Sequence, residues 1–202
     1  MIVVIDYDGG NIKSVTNVLK RSEINFQVSD DRKIIEKASK IILPGVSNFS
    51  HCMHSLKQKK IVDLIKKEVS ENKKPYLGIC SGMQILGTHS EEGNSEGLNL
   101  IEGTIVKLPK KLCHLIPHVG WNKVSIKENK LTKNLINYSR FYFCHSYHFK
   151  LNDESNSIMT TNYGIKICCG IKKNNIYGIQ FHPEKSSNFG KILLKNFVLH
   201  CN

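Results

Sequence analysis

The segment Pro75-Tyr76-Leu77-Gly78-Ile79-Cys80-Ser81-Gly82-Met83-Gln84 constrains this chain more than any other. An apolar run feeds straight into Gly-x-Cys-x-Gly, and helix-compatible residues follow. A strand that turns into a helix at a single residue forces that residue into a crowded backbone conformation. Glycines two positions before and two after it relieve the crowding. Such an elbow belongs at the carboxyl end of a strand in an open α/β sheet, where ligands of these sheets bind. It presents the sulfur to the cleft beside a helix N-terminus, whose dipole and free N–H groups favour a thiolate. Cys80 is therefore the candidate nucleophile, and the backbone N–H of Ser81 is the natural first oxyanion-hole donor.

The surrounding pattern agrees with such a sheet. Met1–Asp6 is an apolar β-type run, followed by the turn-forming Asp8-Gly9-Gly10-Asn11 and a helical face of Ile12, Val15, Val18 and Leu19. Phe26–Val28 and Lys40–Leu43 read as short strands, the second closed by Pro44-Gly45. Helical spacing resumes through Ile61, Leu64, Ile65 and Val69, and Pro75–Ile79 is the strand that enters the elbow. Strand, turn and helix in repetition predict an α/β fold, an open, largely parallel twisted sheet with helices on both faces. The second half predicts an antiparallel extension. Its β-type runs are Ile101–Leu108, Lys123–Ile126, Arg140–Phe143, Ser157–Thr161, Lys166–Lys172 and Ile176–Gln180, with hairpin turns at Asn152–Asn156 and Lys172–Asn175. A helix over Asn188–Cys201 closes the chain. With no repeat, low-complexity tract or linker, residues 1–202 are expected to form one domain.

A thiol nucleophile needs a base, and a neutral imidazole needs an orienting group. Tyr177-Gly178-Ile179-Gln180-Phe181-His182-Pro183-Glu184-Lys185-Ser186 supplies both. The β-type run ends at His182, Pro183 stops the strand, and Glu184 follows at a spacing that lets its carboxylate reach the distal imidazole nitrogen. The six other cysteines (Cys52, Cys113, Cys144, Cys168, Cys169, Cys201) lack an elbow and read as reduced structural thiols. With no Cys-x-x-Cys, no zinc site is expected, and none is expected from His51 and His54, which one helical turn would bring together. The net charge of +12 is almost all lysine, since Arg21, Arg32 and Arg140 are the only arginines. Phosphate and base readout favours arginine with interleaved aromatics. A solvated lysine surface facing an acidic protein partner is the expectation, not nucleic-acid binding. The N-terminus has no basic lead-in and no segment approaches the roughly 20 apolar residues of a membrane span, so a cytoplasmic protein is expected.

The elbow together with Phe181-His182-Pro183-Glu184 resembles the triad-type (class I) glutamine amidotransferases, which hydrolyse glutamine to glutamate and ammonia. Ile5-Asp6-Tyr7-Asp8-Gly9-Gly10-Asn11, Leu43-Pro44-Gly45-Val46, Pro117-His118-Val119-Gly120-Trp121-Asn122 and Phe141–Tyr147 narrow the resemblance to the glutaminase subunit of imidazole glycerol phosphate synthase. The resemblance implies a flavodoxin-like core and the catalytic triad Cys80, His182 and Glu184. It implies an oxyanion hole from Val46 and Ser81, and contacts to glutamine from Gly45, Gln84 and Glu92. It also implies a heterodimer with a (β/α)8-barrel cyclase of histidine biosynthesis, with Asn11, Trp121, Tyr142 and Lys185 near the interface, and no metal or organic cofactor. Two positions depart from the family: Ser47 stands where glycine is usual, and Ser81 where leucine is common. A related pathway, in which a similar glutaminase feeds ammonia to acetamidino-sugar synthesis for surface polysaccharides, would use the same chemistry. A non-glutaminase cysteine hydrolase or a basic binding module are rivals of another class, and both leave the His-Pro-Glu and Trp121 blocks unexplained.

Overall fold

Every residue of the first strand, β1 (Ile2–Ile5), is buried, the mark of a strand covered on both faces. The chain then alternates through α1 (Ile12–Arg21), β2 (Phe26–Ser29), α2 (Arg32–Lys37), β3 (Lys40–Gly45), α3 (Phe49–Gln58), α4 (Val62–Ser70), β4 (Tyr76–Cys80) and the single turn α5 (Ser81–Gln84). Next come β5 (His89–Ser90), β6 (Ser95–Glu96), β7 (Gly103–Lys107), β8 (His118–Lys123), β9 (Ser125–Ile126) and β10 (Arg140–His145). The remaining elements are β11 (Tyr147–Leu151), β12 (Ser157–Tyr163), β13 (Ile165–Lys173), β14 (Ile176–Ile179) and α6 (Ser187–His200). The structure, a computed structural model, describes residues 1–113 and 115–201.

The main sheet runs β2-β1-β3-β4-β14-β13-β11-β7-β5-β6, with β12 and β9 branching from β13. The five strands from β2 to β14 are parallel, and the sheet becomes antiparallel from β14 into β13, β11 and β7. One face packs against α3 and α4 through Phe49, Met53, Leu56, Leu64 and Ile65. The other packs against α1 and α6 through Val15, Leu19, Leu193, Leu194 and Phe197. Each such side chain contributes about 1.5–3 kcal/mol on burial, so the two layers hold the sheet from both sides. The open sheet, the two covered faces and the antiparallel extension follow the expected architecture. Among the described residues no helix is long and apolar enough to cross a membrane.

Several local expectations change. Helices α2 and α3 are additions to the pattern, each begun by a capping side chain, Asp31 and Asn48. The expected strand over Lys123–Ile126 is split between β8 and β9, and the segment around Trp121 is itself a strand. Among the described residues β8 pairs only with β10, antiparallel, as a two-stranded sheet beside the main one. Residues 152–156 do not turn a hairpin, because β11 and β12 pair with opposite edges of β13 and not with each other. The second expected hairpin does form, between β13 and β14, with Asn174 at φ 54°.

The topology places the site. Strands β3, β4 and β14 are parallel neighbours, with Gly45 opposite Cys80 and Ile79 opposite Ile179. Whatever follows β3 and β14 therefore flanks the elbow at the end of β4.

Candidate active site

Cys80 has φ 55° and ψ −111°, a conformation that costs a non-glycine residue about 1–3 kcal/mol. The flanking glycines are required by close approach. A Cβ on Gly78 would collide with the carbonyl oxygen of Gly82, and one on Gly82 with the carbonyl oxygen of Leu43. Tyr76 Oη donates to the Gly82 carbonyl at 3.0 Å, fixing the elbow from below. Cys80 is 5% exposed at the floor of a cleft of about 250 Å³, walled by Val46, Ser47, Gln84, Glu92, Pro117 and the 144–147 segment. That is smaller than a drug-sized pocket, typically ~300 Å³ or more, and it suits a ligand the size of an amino acid.

His182 leaves the end of β14 beside Cys80. Its Nδ1 lies 2.8 Å from Glu184 Oε1, and both side chains are buried. Burial opposes a charge on His182, but hydrogen bonds to Cys80 and Glu184 outweigh it and raise its pKa above the ordinary value. The imidazolium is thus favoured next to a sulfur that must become an anion. The turn is tied down by Ser186, whose hydroxyl donates to the His182 carbonyl at 2.6 Å and accepts from the Tyr142 N–H at 3.0 Å.

A second neighbour of the sulfur has no counterpart in the sequence reading. Gln180, fully buried, donates from Nε2 to Cys80 Sγ at 3.6 Å. Its Oε1 accepts from Gln84 Nε2 at 3.0 Å, and Gln84 Nε2 also donates to the Tyr147 carbonyl at 3.0 Å. The Tyr147 carbonyl fixes Gln84 as donor, Gln84 fixes which end of Gln180 is oxygen, and the amide nitrogen of Gln180 is left for the sulfur. His145 Nδ1 donates to that same carbonyl at 2.8 Å, and His145 Nε2 lies 3.0 Å from His118 Nδ1. The visible clue in the sequence is a lone amide at the end of an apolar run, immediately before Phe181-His182.

The two expected oxyanion elements are unequal. Ser81 opens α5, where backbone N–H groups have no intrahelical acceptor. The Val46 N–H instead donates to the Gly9 carbonyl at 2.9 Å, and the Ser47 N–H to the same oxygen at 3.3 Å. Gly45 stands behind the cleft wall, where a Cβ would press on Gly82 N and Ser81 Cβ at 2.7 Å. Gln84 and Glu92 line the cleft, and Glu92 Oε2 also accepts the Phe49 N–H at the start of α3, 2.8 Å away.

Three of the four expected interface residues form one surface cluster. Trp121 and Tyr142 pair across β8 and β10 with ring centroids 6.2 Å apart, and Lys185 Nζ lies 5.4 Å from the Tyr142 ring. Asn11 is separate in role, capping α1 at the Ser14 N–H. His51 and His54 lie on the exposed side of α3, and no metal-holding group of side chains occurs among the described residues.

The glutamine amidotransferase class-I family model matches residues 3–201. The imidazole glycerol phosphate synthase subunit HisH 2 of Methanococcus maripaludis is 46% identical, over 98% of this chain and 98% of its own. HisH 2 of Pseudomonas aeruginosa is 44% identical over 98% of each chain, and HisH of Leptospira borgpetersenii 42%, over 98% of this chain and 99% of its own. A solved glutamine amidotransferase superposes with a TM-score of 0.77, covering 98% of this chain and 100% of that one at 14% identity. PurLQS from Thermotoga maritima superposes at 0.73, with 98% and 96% covered and 20% identity. These two likenesses show the fold. With the sequence match running nearly end to end, the chain belongs to the class-I glutamine amidotransferases, within the HisH subunits of imidazole glycerol phosphate synthase.

Proposed function

We propose that this chain hydrolyses glutamine to glutamate and ammonia at Cys80, and delivers the ammonia to a (β/α)8-barrel cyclase that makes imidazole glycerol phosphate and AICAR in histidine biosynthesis. The observation that carries the reading is the buried Cys80–His182–Glu184 constellation, with Cys80 at the floor of an amino-acid-sized cleft, in a chain with HisH relatives along 98% of its length.

The Cys80 thiolate attacks the side-chain amide carbon of glutamine, and the carbonyl π electrons move onto oxygen. The N–H of Ser81 meets that oxyanion. As the oxyanion collapses the C–N bond breaks, His182 gives its proton to the departing nitrogen, and ammonia leaves behind a thioester. Neutral His182 then takes a proton from water as the water attacks the thioester, and the Cys80 sulfur leaves with the electron pair. Glu184 keeps the imidazole in one orientation throughout. The balance closes with thiol, imidazole and water alone. A second oxyanion donor is worth about 3 kcal/mol, or 10²–10³ in rate. Val46 supplies it only when its N–H leaves Gly9, so the arrangement described above is a low-activity one. A partner docking beside the cleft is the natural trigger, and direct delivery keeps ammonia from being protonated in bulk water.

Glutamate release measured with the chain alone, then with the cyclase and its ribonucleotide, tests the reading. A rise of a hundredfold or more that disappears in Cys80→Ala is the expected result. Activity indifferent to the cyclase would keep the triad and remove the partner, moving the chain toward the acetamidino-sugar pathway. No glutamate under any condition would remove the glutaminase itself.

A further inference from the structure

Two serines that line the cleft touch each other. Ser47 and Ser81 lie 34 residues apart in sequence, yet Ser81 Oγ donates to the Ser47 carbonyl oxygen at 2.5 Å. Ser81 is 5% exposed, so this hydroxyl is largely shielded from competing water.

The loop joining β3 to α3 consists of Val46, Ser47 and Asn48. Its ends are fixed, by the pairing of Gly45 with Cys80 and by Asn48, which caps α3 at the His51 N–H, 2.8 Å away. Between those ends the Val46 and Ser47 N–H groups both donate to Gly9, and the Ser47 carbonyl accepts from Ser81. A longer thiol contact from Cys52 Sγ, at 3.7 Å, reaches the same oxygen. Turning the Val46 N–H toward the sulfur means rotating the Gly45–Val46 peptide. That rotation turns ψ of Gly45 and φ of Val46. Where it carries on into Ser47, the Ser47 carbonyl swings off the Ser81 hydroxyl, and a hydrogen bond present in one loop state and lost in the other is what a latch requires.

We propose that the Ser81 hydroxyl latches the oxyanion loop in its resting arrangement, holding down the activity of the free chain until the partner displaces the loop. The inference rests on the proposed glutaminase function. It makes Ser81 two-sided: its backbone N–H serves the oxyanion while its side chain restrains the loop that carries the second donor. An alanine at this position has no proton to give, so the restraint belongs to the hydroxyl.

The test compares glutamate release by wild type, Ser81→Ala and Ser81→Thr, each alone and then with saturating cyclase and ribonucleotide. Ser81→Ala is expected to raise the free-chain kcat roughly 3- to 10-fold, the worth of one net hydrogen bond, and to shrink the partner-stimulated ratio by the same factor. Ser81→Thr, which keeps the hydroxyl, restores both. A free-chain rate that does not rise in Ser81→Ala, while the wild type still responds to the partner, overturns the latch and leaves the glutaminase standing. A wild type that releases no glutamate even with the partner removes the function instead, whatever the variants do. Should alanine not fold, Ser81→Cys keeps the size and weakens the donor, and a rise between wild type and threefold is expected. Amide exchange at Val46 and Ser47 reads the loop directly, and faster exchange in the variant is required.

Discussion

The proposed nucleophile and its base are legible in one dimension because each sits in a turn with its own local chemistry. Gly78 and Gly82 mark the elbow through backbone contacts that no side chain survives, and Pro183 ends the strand that delivers His182. Gln180 has no such mark. Its contact with Cys80 exists only because β14 lies beside β4, a fact of sheet order that spacing does not encode. Its amide nitrogen donates to the sulfur and holds it in place in the elbow. Replacing it by leucine keeps the volume and removes the donor. Gln180→Leu is expected to slow iodoacetamide alkylation of Cys80 at pH 7 by about 3- to 10-fold, the worth of one net hydrogen bond to the reacting sulfur. The exposed Cys144 serves as the internal control, and site-resolved mass spectrometry separates the two. Equal alkylation rates at Cys80 in variant and wild type would show that the amide does not tune the sulfur.

Among the elements, the long parallel strands and the terminal helices follow their hydrophobic pattern, and the departures have physical reasons. Helix α2 spans six residues and buries a single apolar side chain, Ile35, too little to show a period. Helix α3 does carry one, in Phe49, Cys52, Met53 and Leu56, begun by Asn48, but two histidines and two serines interrupt it. What secures α2 and α4 is a buried charge. Lys74 Nζ meets Glu68 Oε2 at 2.6 Å and also donates to the carbonyls of Ile35 and Glu36 at 2.7 and 2.8 Å. Removing one member leaves the other charged and buried, which costs about 3–5 kcal/mol. Lys74→Met is expected to lose that much in urea unfolding, and a loss under 1 kcal/mol would place the pair in solvent. The β8–β10 ribbon carries a different buried device, the paired imidazoles of His118 and His145. Burial lowers their pKa values from 6.5 to about 4 and about 3. Above pH 6.5 both folded and unfolded chains hold them neutral. Below it the unfolded chain takes up protons that the folded chain refuses, so stability is lost as pH falls toward 4. The largely enclosed His145 contributes about 1.4 kcal/mol for each pH unit in that window. Urea midpoints at pH 7.5 and 5.0 check this, and equal midpoints would refute it.

At the scale of the whole molecule, the β8–β10 ribbon serves a purpose that neither composition nor periodicity announces. The β8–β10 ribbon stands outside the main sheet, and β8 alternates strictly. His118 faces inward, stacked between Phe143 and Tyr163 at 4.6 and 3.9 Å. Val119 and Trp121 face solvent at 53% and 43% exposure, beside an exposed Lys123. A strand that buries a histidine and exposes a tryptophan is inverted for an isolated chain, and it makes sense where another protein covers the outer face. Val46, also 53% exposed, lies on the rim of the cleft, so a partner settled there reaches the oxyanion loop as well. Lys185 over Tyr142 brings a cation to the same surface, in a chain of net charge +12 that favours an acidic counterpart. Tryptophan at the centre of an interface commonly carries 2 kcal/mol or more of binding. Trp121→Ala is thus expected to weaken the heterodimer by about thirtyfold or more in titration calorimetry, with partner-stimulated glutamate release recovering at excess cyclase. Because the surface is basic, the association rate should also fall as salt rises. Unchanged affinity in Trp121→Ala would move the interface off the ribbon and leave the exposed face of β8 without an occupant.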